Sequence, residues 1–166
     1  IEGGWPGANP TDTEFFQKKI KLTNSLLTAF GMTKRAGRSA ENDPGLSSIL
    51  NSNTPAVCLV GKSWDFHVDV ALGISNEENL ENISESTKLF VKEKKEFMFD
   101  AEHFFDGFKH NKEYAIACIK SAYDNGARWI VLCDTNGGTL PNEVSEIVSE
   151  VVKSVPGKNL GIHAHN

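Results

Sequence analysis

Two histidines stand one residue apart in the segment LGIHAHN, at positions 160–166. Residues i and i+2 of a β-strand point to the same face of a sheet, so His163 and His165 can converge on one object while Ala164 faces away. Imidazole and carboxylate oxygen together suit Zn, Mn, Fe or Mg, and two histidines leave room for a carboxylate ligand and open positions. The pair therefore predicts a divalent metal site at His163 and His165. The alternative is a pair of hydrogen-bonded interior histidines.

The segment DAEHFFDG, at 100–107, places three carboxylates and a histidine directly after an apolar run. On a strand, Asp100 and Glu102 share one face, so a carboxylate can project into a site at the strand end. We expect Phe104 and Phe105 to form apolar walls that raise the pKa of a neighbouring carboxyl group and suit it to acid–base chemistry. A solvated loop with a helix cap is the simpler alternative.

The segment CDTNGGTLP, at 133–141, follows another apolar run. The hydroxyl group of Thr135 and the backbone N–H groups of a glycine-rich turn, close to a helix start at Pro141, could hold a carboxylate or a phosphate. The same residues could equally form only a tight turn between a strand and a helix.

Short apolar runs alternate with longer segments of helical periodicity, as in a chain of βα units. The apolar runs are nearly continuous, which is typical of parallel strands buried on both faces. The predicted strands are 25–30, 56–60, 97–101, 129–134 and 160–165, and the predicted helices are 77–91, 112–123 and 143–155.

Polar and ionisable residues gather at the carboxyl end of each predicted strand. In a (β/α)₈ barrel all these ends meet at one mouth, where active sites form, whereas an open sheet would spread them along an edge. We therefore predict an α/β fold of the TIM-barrel type. Because a full barrel takes about 250 residues, a chain of 166 residues would form part of one.

The composition excludes several classes of protein. The net charge of −5 argues against a general nucleic-acid or anionic-membrane surface, since both need clustered Lys and Arg. No apolar run reaches the length of a membrane span. The three cysteines are far apart, form no CxxC pair and lie mostly in apolar runs, which favours a reducing, cytoplasmic location.

The motifs together resemble the isopropylmalate-synthase and HMG-CoA-lyase-like metallo-enzymes, and among these the citramalate-synthase branch. The resemblance runs over essentially the whole chain. GIHAHN is typical of the wider family, whereas EGGWPGANP, VGKSWDFHV and DAEHFFDG are more specific to the branch.

This resemblance implies condensation of pyruvate with acetyl-CoA to (R)-citramalate, a step toward isoleucine. By position, His163 and His165 would bind a divalent ion such as Mg, Mn or Zn, Thr135 would hold the carboxylate of the 2-keto acid, and Glu102 would be the catalytic acidic residue. The parent enzyme would be a homodimer. Related alternatives are 2-isopropylmalate synthase in leucine biosynthesis, homocitrate synthase, a lyase or aldolase, or an inactive fragment.

The resemblance also implies that residues 1–166 are part of a catalytic domain and supply strands two to seven of its barrel. The family's first strand carries an Asp-Arg motif that provides a third metal ligand and an arginine beside the keto oxygen, and nothing in this sequence matches it. We expect the first strand, the eighth strand and a C-terminal regulatory domain to lie outside the chain, and the isolated chain to be inactive.

Overall fold

In the part of the chain that the structure describes, five parallel strands form one sheet, and each strand neighbours the next one along the chain. The computed structural model describes residues 1–18, 20 and 22–165, so Asn166, the last residue of the GIHAHN motif, lies outside the described residues. A doubly wound sheet reverses its strand order at a switch point, whereas a barrel keeps sequential neighbours. The structure confirms the α/β fold with a parallel sheet and agrees with a partial barrel. The strands are β1 (Thr28–Met32), β2 (Ala56–Lys62), β3 (Glu96–Glu102), β4 (Trp129–Asp134) and β5 (Leu160–Ala164).

Helical segments connect successive strands, as parallel pairing requires. They are α1 (Pro10–Gln17), α2 (Pro44–Asn51), α3 (Asp65–His67), α4 (Asn76–Lys92), α5 (Phe104–His110), α6 (Lys112–Tyr123) and α7 (Pro141–Val151). A wider helical turn, Val68–Leu72, continues α3, and short 3₁₀ turns lie at Ala40–Asn42 and Gly157–Asn159.

The first residues of the chain extend the sheet beyond β1. Glu2 forms a parallel bridge with Thr28, and the Gly3 N–H donates to the Thr28 carbonyl at 3.0 Å. The Thr28 N–H in turn donates to the Ile1 carbonyl at 2.8 Å. Glu2 therefore stands beside β1 in the position of a preceding strand.

One face of the sheet carries the hydrophobic core. Phe97 and Phe99, two residues apart on β3, and Leu132 on β4 point to this face, and all three are fully buried. Burying side chains of this size stabilises the fold by about 1.5–3 kcal/mol each. This packed face fixes the register of the strands, because a slip of one residue would move every apolar side chain to the other face.

Several sequence-based boundaries were wrong. The first strand begins at Thr28 rather than Ser25, because pairing with Ala56 of β2 begins there. Helix α7 covers Pro141–Val151 rather than 143–155, although Val155 remains fully buried in the turn that follows. Helices α1, α2, α3 and α5 were not predicted.

Gly107 allows α5 to pack closely against the segment that follows β2. A Cβ atom on Gly107 would lie 2.3 Å from the Ser63 carbonyl oxygen, well inside van der Waals contact. Only glycine permits this approach. The close approach packs α5 against Ser63 and Trp64, which directly follow β2.

Candidate active site

The strand register places the predicted functional residues on one face of the sheet, opposite the packed core. Lys62 pairs with Glu102 across β2 and β3, and Cys133 pairs with His163 across β4 and β5. Asp100 pairs with Val131, so Asp100 and Glu102 share a face with Cys133. By the same alternation, Thr135 and His165, which directly follow β4 and β5, lie on this face. All of these residues stand at the carboxyl ends of their strands.

His163 and His165 lie side by side, as their spacing predicted. Their ring centroids are 4.7 Å apart and their planes differ by 21°. Both side chains are exposed in the structure, so their ring nitrogens are accessible. Imidazole nitrogens are among the ligands that a divalent ion such as Zn takes in proteins.

A second set of possible ligands includes His163. Ligand atoms of Asp100, Cys133 and His163 all lie within 4.8 Å of one another. Burial raises the pKa of the Cys133 thiol, and the negative charge of Asp100 raises it further. Burial also raises the pKa of Asp100. Both groups therefore hold their protons more tightly here than they would in water.

Glu2, at the amino end of the chain, lies near Asp100 and His163. Burial raises the pKa of its carboxyl group, and the charge of Asp100 adds to the increase, while His163 lowers it. The carboxyl groups of Glu2 and Asp100 and the imidazole of His163 thus lie near one another. They share the face of the sheet opposite the packed core, which we call the inner face. No pattern in the sequence pairs Glu2 with Asp100, which lies 98 residues further along the chain.

Glu102 meets a cation rather than the apolar walls expected from the sequence. Its carboxylate Oε2 lies 2.6 Å from Lys62 Nζ, and the two side chains are 24% and 18% exposed. Phe104 and Phe105 instead begin α5 and are fully buried in the hydrophobic core. The expected phenyl walls were wrong, because the chain turns into a helix directly after the strand and carries both rings underneath it.

Thr135 is fixed by the turn that follows β3. The His103 backbone N–H donates to Thr135 Oγ1 at 2.9 Å, which joins two loops separated by 32 residues along the chain. The hydroxyl oxygen acts as the acceptor, so the Thr135 O–H remains able to donate to a ligand.

The expected carboxylate cradle at CDTNGGTLP is a turn held by Asp134. Asp134 accepts from the Thr139 N–H at 3.0 Å and from the Thr139 hydroxyl at 2.9 Å. Gly137 adopts a left-handed conformation, with φ 66°, inside this turn. The turn is therefore self-contained, and Thr135 is the residue in it that faces the site.

Aromatic rings line the mouth beside the Lys62–Glu102 pair. The rings of His67 and His103 are 4.3 Å apart in an edge-on arrangement, and the ring of Trp64 lies 4.7 Å from that of His67. Burial lowers the pKa of His67, and the neighbouring His103 and Lys62 lower it further. A neutral His67 therefore forms part of this wall at neutral pH.

The sequence matches the HMGL-like family over residues 1–166. An (R)-citramalate synthase of Aquifex aeolicus (strain VF5) is 51% identical over 168 residues, which cover 100% of this chain and 32% of that protein. An (R)-citramalate synthase of Geobacter sulfurreducens is 49% identical, with the same coverage of both chains. The chain thus spans about a third of the length of these relatives.

Solved structures share the fold. The HMG-CoA lyase of Brucella melitensis superposes with a TM-score of 0.76 at 12% sequence identity, covering 94% of this chain and 53% of that chain. At this identity the similarity concerns the fold alone. Among the residues that the structure describes, no helix is both long and apolar enough to cross a bilayer.

Proposed function

The chain belongs to the HMGL-like family, as its motifs predicted, and we propose that it forms part of an acyltransferase that condenses acetyl-CoA with pyruvate to (R)-citramalate. The observation that carries this proposal is the shared inner face of the sheet. Glu102, Thr135, His163 and His165 stand there at neighbouring strand ends. Identities of 51% and 49% to (R)-citramalate synthases over the whole chain support the choice of substrates.

His163 and His165 are proposed to hold a divalent ion, Mg, Mn or Zn. The close, near-parallel imidazoles fit such an ion, and Asp100 offers a carboxylate within reach of His163. When bound, the ion supplies Lewis-acid polarisation of the keto group. The family's Asp-Arg motif, which would complete the set, has no counterpart in this chain.

Glu102 is proposed to take a proton from the acetyl methyl group. The methyl C–H bond breaks, a new C–C bond forms to the keto carbon of pyruvate, and the former keto oxygen gains a proton. Water then cleaves the thioester and releases the CoA thiol. The adjacent Lys62 ammonium holds this carboxylate at the mouth in a fixed orientation.

Thr135 is proposed to bind the carboxylate of the keto acid. Its oxygen already accepts the His103 N–H, so its own O–H is available for the substrate. A hydrogen bond to a charged group contributes about 1.5–3 kcal/mol. This contact would orient pyruvate so that its keto carbon faces the acetyl group.

We also propose that residues 1–166 supply strands two to seven of a barrel. The remaining strands and a regulatory domain would belong to a longer, homodimeric enzyme. The three cysteines are free and buried, which supports a reducing compartment such as the cytoplasm.

Product analysis tests the substrate assignment. A full-length protein containing this chain would be supplied with acetyl-CoA and, separately, with pyruvate, 2-oxoisovalerate and 2-oxoglutarate. We expect (R)-citramalate from pyruvate to be the major product. Preference for 2-oxoisovalerate would indicate an isopropylmalate synthase, and preference for 2-oxoglutarate a homocitrate synthase; either would overturn the proposal.

A further inference from the structure

We propose that His103 is a positioning residue that aims the Thr135 hydroxyl at the keto-acid carboxylate, an inference that rests on the proposed function. His103 directly follows Glu102, so it connects the residue proposed to move a proton with the residue proposed to hold the substrate. Its effect is exerted through Thr135 and requires no contact with the substrate.

The backbone of His103 makes the first link to the loop after β4. Its N–H donates to Thr135 Oγ1 at 2.9 Å. This bond occupies the hydroxyl oxygen as an acceptor and thereby fixes the direction in which the O–H can point. A small rotation of the His103 peptide would release that constraint.

The side chain of His103 makes a second link to the same loop. His103 Nδ1 lies 3.3 Å from Asp106 Oδ2, which also accepts from Asn136 Nδ2 at 3.0 Å. Asn136 follows Thr135 directly. The β3 turn is therefore joined to two consecutive residues of the β4 loop, once by backbone and once by side chains.

Without these links the backbone conformation of His103 would be unfavourable. His103 adopts a left-handed conformation, with φ 55° and ψ 33°, between the last residue of β3 and the first residue of α5. For a residue with a side chain this costs about 1–2 kcal/mol. His103 is nevertheless only 9% exposed, and its ring packs against those of His67 and Trp64. We infer that the buried ring and its bond to Asp106 keep the turn in the conformation that delivers the N–H to Thr135.

The test is a double-mutant cycle in the full-length protein between His103→Ala and Thr135→Val, with steady-state kinetics for both substrates. His103→Ala should raise KM for pyruvate about fivefold to tenfold, as loss of one hydrogen bond of about 1 kcal/mol or slightly more implies. KM for acetyl-CoA and the content of bound metal should not change. In the Thr135→Val background, the same substitution should have no further effect on KM for pyruvate.

Two further variants separate positioning from general stability. Asparagine tolerates the left-handed region and its amide can donate to Asp106, so His103→Asn should recover most of the lost pyruvate affinity. His110→Ala is the matched control. His110, the last residue of α5, also bonds a carboxylate, Asp65 at 2.9 Å, but its side chain is 61% exposed and none of its hydrogen bonds within the described residues reaches the β4 loop.

The outcomes distinguish failure of the role proposed for His103 from failure of the proposed function. If the unaltered protein makes no citramalate, the proposed function fails. If the unaltered protein makes citramalate but the effects of His103→Ala and Thr135→Val on KM for pyruvate are additive, His103 has only a structural role. The same holds if His103→Ala changes the KM values of both substrates and lowers Tm.

Discussion

Lys62 and Glu102 form an ion pair of 2.6 Å between the last residues of two neighbouring parallel strands. The strand register places the two residues directly opposite each other, on the face that the helices leave uncovered. The Ser63 N–H donates to the Glu102 carbonyl at 3.1 Å and continues the ladder past the pair. A carboxylate at the mouth is thus fixed by both its backbone and its charge partner.

We predict that Glu102→Gln lowers kcat by a factor of about 10²–10⁴, the range for loss of a positioned acid or base. The substitution preserves the shape of the side chain and removes its charge. Bound metal, measured by elemental analysis, should remain as in the unaltered full-length protein.

Glu96→Gln is the matched control for this prediction. Glu96 lies at the opposite end of the same strand, where its carboxylate accepts from Trp129 Nε1 at 3.2 Å. The Glu96→Gln variant should have the same activity as the unaltered protein. Equal turnover in Glu102→Gln and the unaltered protein would remove Glu102 from the mechanism.

Lys62→Met should lower kcat and should do so through Glu102. The variant removes the cation while keeping the aliphatic stem, so the carboxylate loses its fixed partner. We expect a loss of about tenfold or more, as for a partly buried pair with one partner removed. In the Glu102→Gln background the same substitution should have little additional effect, and an undiminished loss there would contradict the coupling.

Thr135→Val should raise KM for pyruvate about tenfold to a hundredfold, because the bond to the charged carboxylate is lost. Thr135→Ser keeps the hydroxyl and is expected to retain most of the affinity. The comparison uses initial rates at saturating acetyl-CoA. Similar KM values for the valine variant and the unaltered protein would rule out the assigned contact.

Asp43 should contribute stability that depends on pH. Burial by itself would raise the pKa of its carboxyl group, but the backbone N–H groups of Arg35, Leu46 and Gly45 outweigh burial and hold the pKa below its usual value. A lowered pKa in the folded state means that this stabilisation is present above the ordinary aspartate pKa of about 3.9 and is lost as the pH falls through the folded value. Asp43→Asn should therefore lower the free energy of unfolding at pH 7 by about 1 kcal/mol.

Urea unfolding at several pH values checks this expectation. The difference between the two proteins should stay constant from pH 7 to about pH 5 and shrink below about pH 4, where Asp43 of the unfolded chain begins to gain a proton. A difference that does not vary with pH would show that the charge of Asp43 contributes nothing.

Much of the fold follows from periodicity in the sequence. The run WIVLCD and the stripe of apolar residues from 112 to 123 matched β4 and α6 at both ends, since the first is a nearly continuous apolar run and the second has a clear helical period. Helix α2 was missed although its start signals are present: Asp43 accepts from the Leu46 N–H at 3.0 Å, and Pro44 occupies the first helical position. The segment is short, with eight residues, and weakly patterned, so these signals carried too little weight.

The candidate site was predicted less completely than the fold. The i, i+2 spacing of His163 and His165 was enough to predict adjacent rings, because a strand repeats every two residues. The partner of Glu102 was not predicted, since the pairing of Lys62 with Glu102 depends on strand register over 40 residues. The bond from His103 to Thr135 depends on a left-handed backbone at a residue other than glycine, for which the sequence gives no signal.

We claim that the inner face of the sheet is a metal-dependent condensing site. CoA thiol release from acetyl-CoA should be measured for the full-length protein, with and without pyruvate, in the unaltered form and in His163→Ala, alongside elemental analysis of bound metal. We predict pyruvate-dependent thiol release in the unaltered form only, and loss of both activity and metal in the variant. Full metal occupancy in His163→Ala, or no pyruvate-dependent release from the unaltered protein, would contradict the claim.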